Sequence, residues 1–176
     1  NVVSASTTKH NYFFGGAGNS TMTGSNNLAF GYESLKWNIA GSENIALGNV
    51  ALWANNTGSA NIALGRFSLG NNTSGNYNVA LGYDSLSANT IGSNNVALGQ
   101  VAGVEDLLAT PNESSTTSIY IGFATQPYRN GDTNEIVIGS GAGGVGSNSV
   151  VLGNDSIVTT ALKGNIGIGT TTPTYN

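Results

Sequence analysis

The amino-acid sequence predicts an all-β chain that winds into a parallel β-solenoid, or β-roll, of about ten coils with a 17-residue period. Three observations support this prediction: a short motif recurs at a fixed spacing, apolar residues alternate with small ones within it, and turn-forming residues fill the gaps. The motif is N-x-A-[LF]-G, and its regular copies end at Gly31, Gly48, Gly65, Gly82 and Gly99. Looser copies end at Gly15, Gly122, Gly139, Gly153 and Gly169. Such a period is typical of units stacked into one solenoid.

The regularity of the motif divides the chain into three parts. Residues 1–103 contain the regular repeats, and residues 104–118 form an inserted loop. Residues 119–176 form irregular coils that lead towards a missing C-terminal region, so we expect the chain to be part of a longer protein. All three parts belong to one continuous solenoid in this interpretation.

Within one repeat the alternation predicts a strand with two different faces. Ile45 and Leu47 are expected to face the inside of the coil and Ala46 the outside, with Leu52 in a second short strand. The clusters NNTG, NNTSG and NTIG between repeats are typical of turns, because Asn and Gly both tolerate positive φ angles. Each coil is therefore expected to contain two short strands and two turns.

Stacking at a fixed period places the motif asparagines above one another. Side-chain amides in such a column can bond in a ladder, as they do in other in-register β-stacks. We therefore predict a structural ladder, not a catalytic set, made of Asn27, Asn44, Asn61, Asn78 and Asn95.

The alanine of each motif suggests how chains would associate. A single slender coil has few apolar side chains to offset the entropy of ordering its residues, so the chain is expected to form a homo-oligomer. A column of small residues would let another chain lie close to the sheet. The expected interface residues are Ala46, Ala63, Ala80 and Ala97.

Composition excludes several classes of partner. The 176 residues include only five Lys and Arg, and the net charge is −4, so no basic stripe is available for nucleic acid. No apolar run reaches the ~18 residues of a membrane helix, so membrane insertion is not expected. The chain has no cysteine and one histidine, His10, and we expect neither a metal nor a cofactor.

Two stretches resemble known families. The residues NSVVLG at positions 148–153 resemble the repeat in the YadA-type head of trimeric autotransporter adhesins, which is a trimer of left-handed parallel β-rolls. Residues 134–173, which end in LKGNIGIGTTTP, resemble the segment that precedes the self-cleaving, endosialidase-type intramolecular chaperone of phage tail fibres. The two resemblances imply a homotrimeric, fibrous segment that attaches to a host-cell surface glycan or protein.

The implied location is the tail fibre of a virion, outside the cell. A bacterial cell-surface trimeric adhesin or structural filament remains an alternative, and a glycan-cleaving spike is a less favoured one. Glu33 and Asp84 occupy the same column, but they lie three coils or about 14 Å apart, too far for a pair of glycosidase carboxylates within one chain. We therefore expect no enzymatic activity.

Receptor-binding candidates are the large side chains in positions that vary while the frame repeats. One column follows the motif glycine and contains Tyr32, Arg66 and Tyr83, whereas Trp37, Trp53 and Tyr77 are expected in the opposite turns. The inserted loop offers Glu105 and Asp106, and a turn at residues 126–132 offers Tyr128 and Arg129. Aromatic, amide and charged groups suit sugars and protein interfaces, although the same residues could simply cover turns or pack between subunits.

Overall fold

The computed structural model describes residues 10–161, which form one nine-stranded parallel sheet coiled into a solenoid. Each strand pairs with the next one along the chain, and these residues contain no helix. The strands are β1 (Tyr12–Phe14), β2 (Leu28–Phe30), β3 (Ile45–Leu47), β4 (Ile62–Leu64), β5 (Val79–Leu81), β6 (Val96–Leu98), β7 (Ile119–Ile121), β8 (Glu135–Ile138) and β9 (Ser149–Leu152). The predicted all-β parallel solenoid is confirmed. The expected coil ending at Gly169 lies outside the described residues.

The strands stack in register because the sequence repeats in register. Ile45 pairs with Ile62 and Ala46 with Ala63, a step of 17 residues that holds from β2 to β6. The step from β6 to β7 is 23 residues, because Val96 pairs with Ile119 across the inserted residues 104–118. Coil length therefore varies in the turns, whereas the strand position stays fixed.

The strand faces are the reverse of the prediction. The motif alanines are fully buried inside the coil, and their flanking aliphatic residues lie on the outside. The alanines concerned are Ala46, Ala63, Ala80 and Ala97. In the regular coils a methyl group fills the interior beside leucines such as Leu52 and Leu69, so the larger Ile and Leu side chains of the strand remain outside. The prediction that these alanines form an interface between chains is wrong, because no surface of theirs is accessible.

The predicted second strand is also wrong, because Leu52 lies in a turn. Val50 and Leu52 both adopt left-handed backbone angles, with φ of 52° and 50°, and the same alternation recurs in neighbouring coils. The N–H of Val50 donates to Tyr32 O of the preceding coil at 2.9 Å, and that of Leu52 donates to Ser68 O of the following coil at 3.0 Å. The chain thus curves sharply while its backbone groups remain paired.

The asparagine side chains form the ladder that the sequence predicts. The Nδ2 group of Asn61 donates to Asn44 Oδ1 at 3.2 Å and to Gly75 O at 2.8 Å, and the Asn61 N–H donates to the same Asn44 oxygen. Equivalent bonds join every neighbouring pair from Asn27 to Asn95. Asn11 extends the ladder at one end, where its Oδ1 accepts from Asn27. These asparagines satisfy buried backbone groups that the narrow core would otherwise leave unpaired.

A second ladder runs through the turns and was not predicted. Its side-chain amides bond to each other at 2.6–2.9 Å, and each also donates to the glycine carbonyl three residues further along the chain. Its members are Asn38, Asn55, Asn72 and Asn89. Their 17-residue spacing is visible in the sequence, but asparagine is common in turns whether or not its side chain is buried.

Candidate binding surface

An exposed aromatic and charged patch lies in the turns that follow β2 and β3. Tyr32, Glu33, Lys36 and Trp37 come from the first turn and Trp53 from the next, and we call these five residues the tryptophan surface. Trp53 stands one coil above the position of Lys36, and the Trp37 N–H donates to Trp53 O at 3.1 Å. The repeat therefore places aromatic and charged residues from two coils side by side.

The side chains of the tryptophan surface contact one another directly. The rings of Trp37 and Trp53 meet edge to face, with centroids 6.2 Å apart and an interplanar angle of 89°. Glu33 accepts a hydrogen bond from Lys36 Nζ through Oε1 at 2.5 Å and one from Trp53 Nε1 through Oε2 at 3.2 Å. Lys36 Nζ also lies 5.5 Å from the centroid of the Trp37 ring. Trp37 and Tyr32 remain 53% and 60% exposed.

Glu33 is held in its ionised form. The hydrogen bond from Lys36 lowers the pKa of Glu33, partial desolvation opposes this shift, and weaker hydrogen bonds from Trp53 and Tyr32 lower the pKa further. The result is a carboxylate at neutral pH whose orientation is set by an ammonium group and an indole N–H.

Arg66 and Tyr83 form a second exposed patch further along the stack. They are neighbours in the column that follows the motif glycine, as predicted, and Arg66 Nη1 donates to the Tyr83 hydroxyl at 2.9 Å. The guanidinium carbon lies 5.4 Å from the centre of the Tyr83 ring. This column is exposed throughout, since Asn49 and Gln100 are exposed as well.

The expected grouping of Trp37, Trp53 and Tyr77 is wrong. Trp53 bonds to Glu33, the residue next to Tyr32, so the tryptophans share one side with the column after the glycine. Tyr77 instead stands before β5, at the other end of the strand, where it is exposed. The left-handed residues in the turn bring the tryptophans back to this side, and no pattern in the sequence indicates those angles.

Asp106 is buried in the inserted loop and stabilises the conformation of that loop. It is only 2% exposed, and its carboxylate accepts hydrogen bonds from the Thr110 hydroxyl and from the backbone N–H groups of Leu108, Thr110 and Asn130. Burial opposes the shift, but these bonds lower the pKa of Asp106 to about 2. The prediction that Asp106 contacts a receptor is therefore wrong, whereas Glu105 beside it is exposed.

Tyr128 and Arg129 lie on an exposed turn that is joined to the inserted loop. The Arg129 guanidinium stacks 4.2 Å from the Tyr128 ring centre, and the Arg129 N–H donates to Asp132 Oδ2 at 2.7 Å. Asn130 Oδ1 accepts from the N–H groups of Glu113 and Ser114 at 2.9 and 3.0 Å. Loop and turn thus form one unit, on which Tyr128 remains exposed.

Two buried residues of the later coils are not predicted by the sequence pattern. Glu135 is fully buried where earlier coils have the ladder asparagine, and it accepts hydrogen bonds from the N–H groups of Gly146 and Tyr128. Burial raises the pKa of Glu135 despite these bonds. Tyr120 replaces the motif alanine, and burial raises its pKa too. The glutamate in NEIVIG was the available signal, since it stands in the register of the ladder.

The carboxylates do not form a catalytic pair within the part of the chain described. Glu33 is bonded to Lys36 and Trp53, whereas Asp84 lies three strand spacings away in the same column, and Asp106 and Glu135 are each fixed by backbone N–H groups. Across residues 10–161 no three His, Cys, Asp or Glu side chains lie close enough together to hold a metal ion. No helix in the same range is long and apolar enough to cross a membrane.

A cleft of about 520 Å³ lies between the inserted loop and the last coils. Its residues are remote in sequence from the tryptophan surface. Leu107, Val145 and Val151 line it together with several glycines. Among the described residues that line it, Asp155 alone is titratable, and the tryptophan surface is therefore the better candidate for specific recognition.

Fold and surface together define a class: a parallel β-solenoid whose regular coils have an asparagine-lined core, with an apolar outer sheet face and aromatic, charged turns. Comparison with models of known protein families, with curated proteins and with solved structures finds no match to this chain. The similarity to YadA-type heads and phage tail fibres therefore remains a prediction from the sequence.

Proposed function

We propose that this chain is a homotrimeric, fibre-forming segment that holds an attachment surface away from a virion tail and against a host cell. The observation that supports this proposal most strongly is the apolar outer face of the sheet. Parallel sheets are almost always covered on both faces, yet here Phe30 is 59% and Leu64 40% exposed. Two further copies of the chain would cover this face, as the resemblance to trimeric β-rolls implies.

The outer face is continuous from one end of the sheet to the other. Its apolar residues recur at the first and third positions of the three-residue strands and at the second and fourth positions of β8 and β9, so they form two parallel columns along the stack. Large exposed members are Leu28, Phe30, Leu64, Leu81, Val150 and Leu152. An apolar strip that runs along the whole sheet suits a rod-shaped assembly better than a compact dimer.

Attachment is the part of the proposal that the turns support. The tryptophan surface and the Arg66 and Tyr83 pair lie after the strands, beside the outer face, and offer exposed aromatic rings with charged partners. Aromatic side chains and arginine are enriched at recognition surfaces. The partner would be a glycan or a protein of the host surface, and we propose no enzymatic step.

A bacterial cell-surface trimeric adhesin or filament is the second candidate, because the same apolar face and the same turns would serve it equally well. The sequence that precedes this segment in its full-length protein distinguishes the two. A tail-attachment domain supports the virion fibre, and a secretion signal with a membrane anchor supports the adhesin.

Light scattering of the purified chain tests the assembly. We expect a particle with three times the mass of one chain, and a lower mass for the Leu64→Asp, Leu81→Asp double variant, because charges on the outer face cannot be buried without partners. Asn71→Asp is a matched control on an exposed turn and should remain trimeric. A folded, monomeric wild-type chain would contradict the proposal.

A further inference from the structure

The carboxylate of Glu33 is held in one orientation but still has an unfilled hydrogen-bond acceptor position. Lys36 donates to its Oε1 and Trp53 to its Oε2, Tyr32 adds a weaker bond, and the two oxygens of a carboxylate together accept about four bonds. Its side chain is 24% exposed, so the remaining acceptor position is accessible. Lys36 likewise has ammonium protons beyond the one donated to Glu33.

The charge of this pair restricts the ligand. The ammonium of Lys36 and the carboxylate of Glu33 neutralise each other at short range, so neither a phosphate nor an amine gains a net attraction. What remains is a set of donors and acceptors placed beside the exposed ring of Trp37. A neutral molecule with many hydroxyl groups matches these donors and acceptors.

The exposed indole ring of Trp37 places a second requirement on the ligand. The face of an aromatic ring is electron-rich and attracts polarised C–H groups, so it favours a flat, apolar C–H surface. A hexopyranose combines such a C–H face with hydroxyl groups around its edge. A protein partner would instead need a larger buried area than one exposed ring with two charged neighbours provides.

We propose that Trp37, Glu33 and Lys36 bind a neutral hexopyranose unit of a polysaccharide. Trp37 stacks on the sugar face, Glu33 accepts one of its hydroxyl protons, and Lys36 donates to a ring or hydroxyl oxygen. Trp53 is a positioning residue, because its indole N–H holds Glu33 in place. This inference rests on the proposed attachment function and identifies the class of its receptor.

Indole NMR signals provide a direct test, because the chain contains only two tryptophans. The protein labelled with ¹⁵N-tryptophan is titrated with methyl β-D-glucopyranoside, methyl β-D-galactopyranoside and methyl α-D-mannopyranoside, each up to its solubility limit. We expect saturable shifts of both indole signals with at least one glycoside: that of Trp37 from stacking and that of Trp53 through its bond to Glu33.

Variants separate binding from folding. Glu33→Gln should weaken the affinity about tenfold or more, since it removes a charged acceptor, and Trp37→Ala should abolish the shift of the Trp53 signal. Asp84→Asn changes a carboxylate in the same column three coils further on, with the same backbone φ of 54°, and should leave the affinity unchanged. Circular dichroism confirms that all variants remain folded.

Two results would overturn the inference: no indole shift with any of the three glycosides, or equal affinity of the wild type and Glu33→Gln. The proposed function is judged separately by the trimer mass and by binding of the labelled trimer to intact cells. Cell binding that survives both Trp37→Ala and periodate oxidation of surface sugars would preserve attachment but reject the sugar site.

Discussion

Asn61 shows how one side chain serves three coils. Its amide donates to Asn44 Oδ1 in one neighbouring coil and to Gly75 O, while its own Oδ1 accepts from the N–H and the Nδ2 of Asn78 in the other. All of these groups are buried, so each would lose its water contacts without gaining a replacement if the side chain were absent. The ladder therefore stabilises the coil stack through bonds that water cannot restore.

Replacing Asn61 by alanine should be strongly destabilising. We expect the free energy of unfolding to fall by about 3 to 5 kcal/mol, because several buried donors and acceptors lose their partners. Urea denaturation followed by circular dichroism measures the change. Asn71→Ala in an exposed turn is the control, with an expected change of about 0.5 kcal/mol or less. Similar losses for both variants would contradict the structural role of the ladder.

At the residue level the sequence predicted the ladder but not the direction of the strand faces. Alternation shows that Ile45 and Ala46 lie on opposite faces, but it does not show which face is inside. Hydrophobicity favours Ile45, whereas the volume enclosed by one narrow coil admits only Ala46. The contact between Trp53 and Glu33 was also missed, because it depends on left-handed angles at Val50 and Leu52 that have no sequence pattern of their own.

The glycine after each strand illustrates the constraints on an element. Gly65 directly follows β4 and has a φ of 132°, and a Cβ atom placed on it would lie 2.4 Å from the carbonyl oxygen of Gly82 in the next coil. Both the backbone angle and the close approach of the neighbouring coil require the absence of a side chain. The strand therefore stops at this residue in every regular coil.

The effect of Gly65→Ala should exceed that of an ordinary turn glycine. We expect a loss of about 3 kcal/mol or more in unfolding free energy, since backbone strain and a clash with backbone atoms act together. Gly131 has a φ of 88°, but a Cβ atom added there would meet nothing closer than Ser114 Oγ at 3.4 Å, so Gly131→Ala should cost only about 1 kcal/mol. Thermal unfolding of both variants provides the comparison. Equal losses would show that coil spacing does not restrict this position.

Within residues 10–161 the molecule is a stack in which each strand pairs with its neighbours in the chain. Backbone bonds, ladder bonds and core contacts all repeat at the step from one coil to the next. Stability in such a molecule is a sum of similar contributions, and removal of one complete unit leaves the other interfaces intact.

Deletion of residues 59–75 removes one complete coil and joins equivalent positions. We expect the shortened chain to fold, with a maximal dimension about 4.8 Å smaller by small-angle X-ray scattering. Deletion of residues 59–92 removes two coils and should shorten the particle by about 9.6 Å. Loss of the folded circular dichroism signal, or a change in length that does not scale with the number of coils, would contradict the stacked arrangement.

The fold was easier to predict than the surfaces, because every copy of the repeat independently indicates the same coil. Five regular motifs place the strands, and the structure retains their register even across the inserted residues 104–118. The turns carry no such redundancy. Asp106 was expected on the surface and instead organises its loop, because local hydrogen bonds from Thr110 and Asn130 decide its position.

The direction of the hydrogen bonds also determines how the molecule responds to force. Neighbouring coils are joined along the stack by hydrogen bonds, whereas the covalent chain runs around it, with 17 residues in each regular turn. One coil holds a contour of about 56 Å within an axial rise of about 4.8 Å. A pull on both ends therefore loads hydrogen bonds first, and each coil that unwinds lengthens the molecule by about 50 Å. Under sudden tension such a solenoid extends in steps before any covalent bond bears the load.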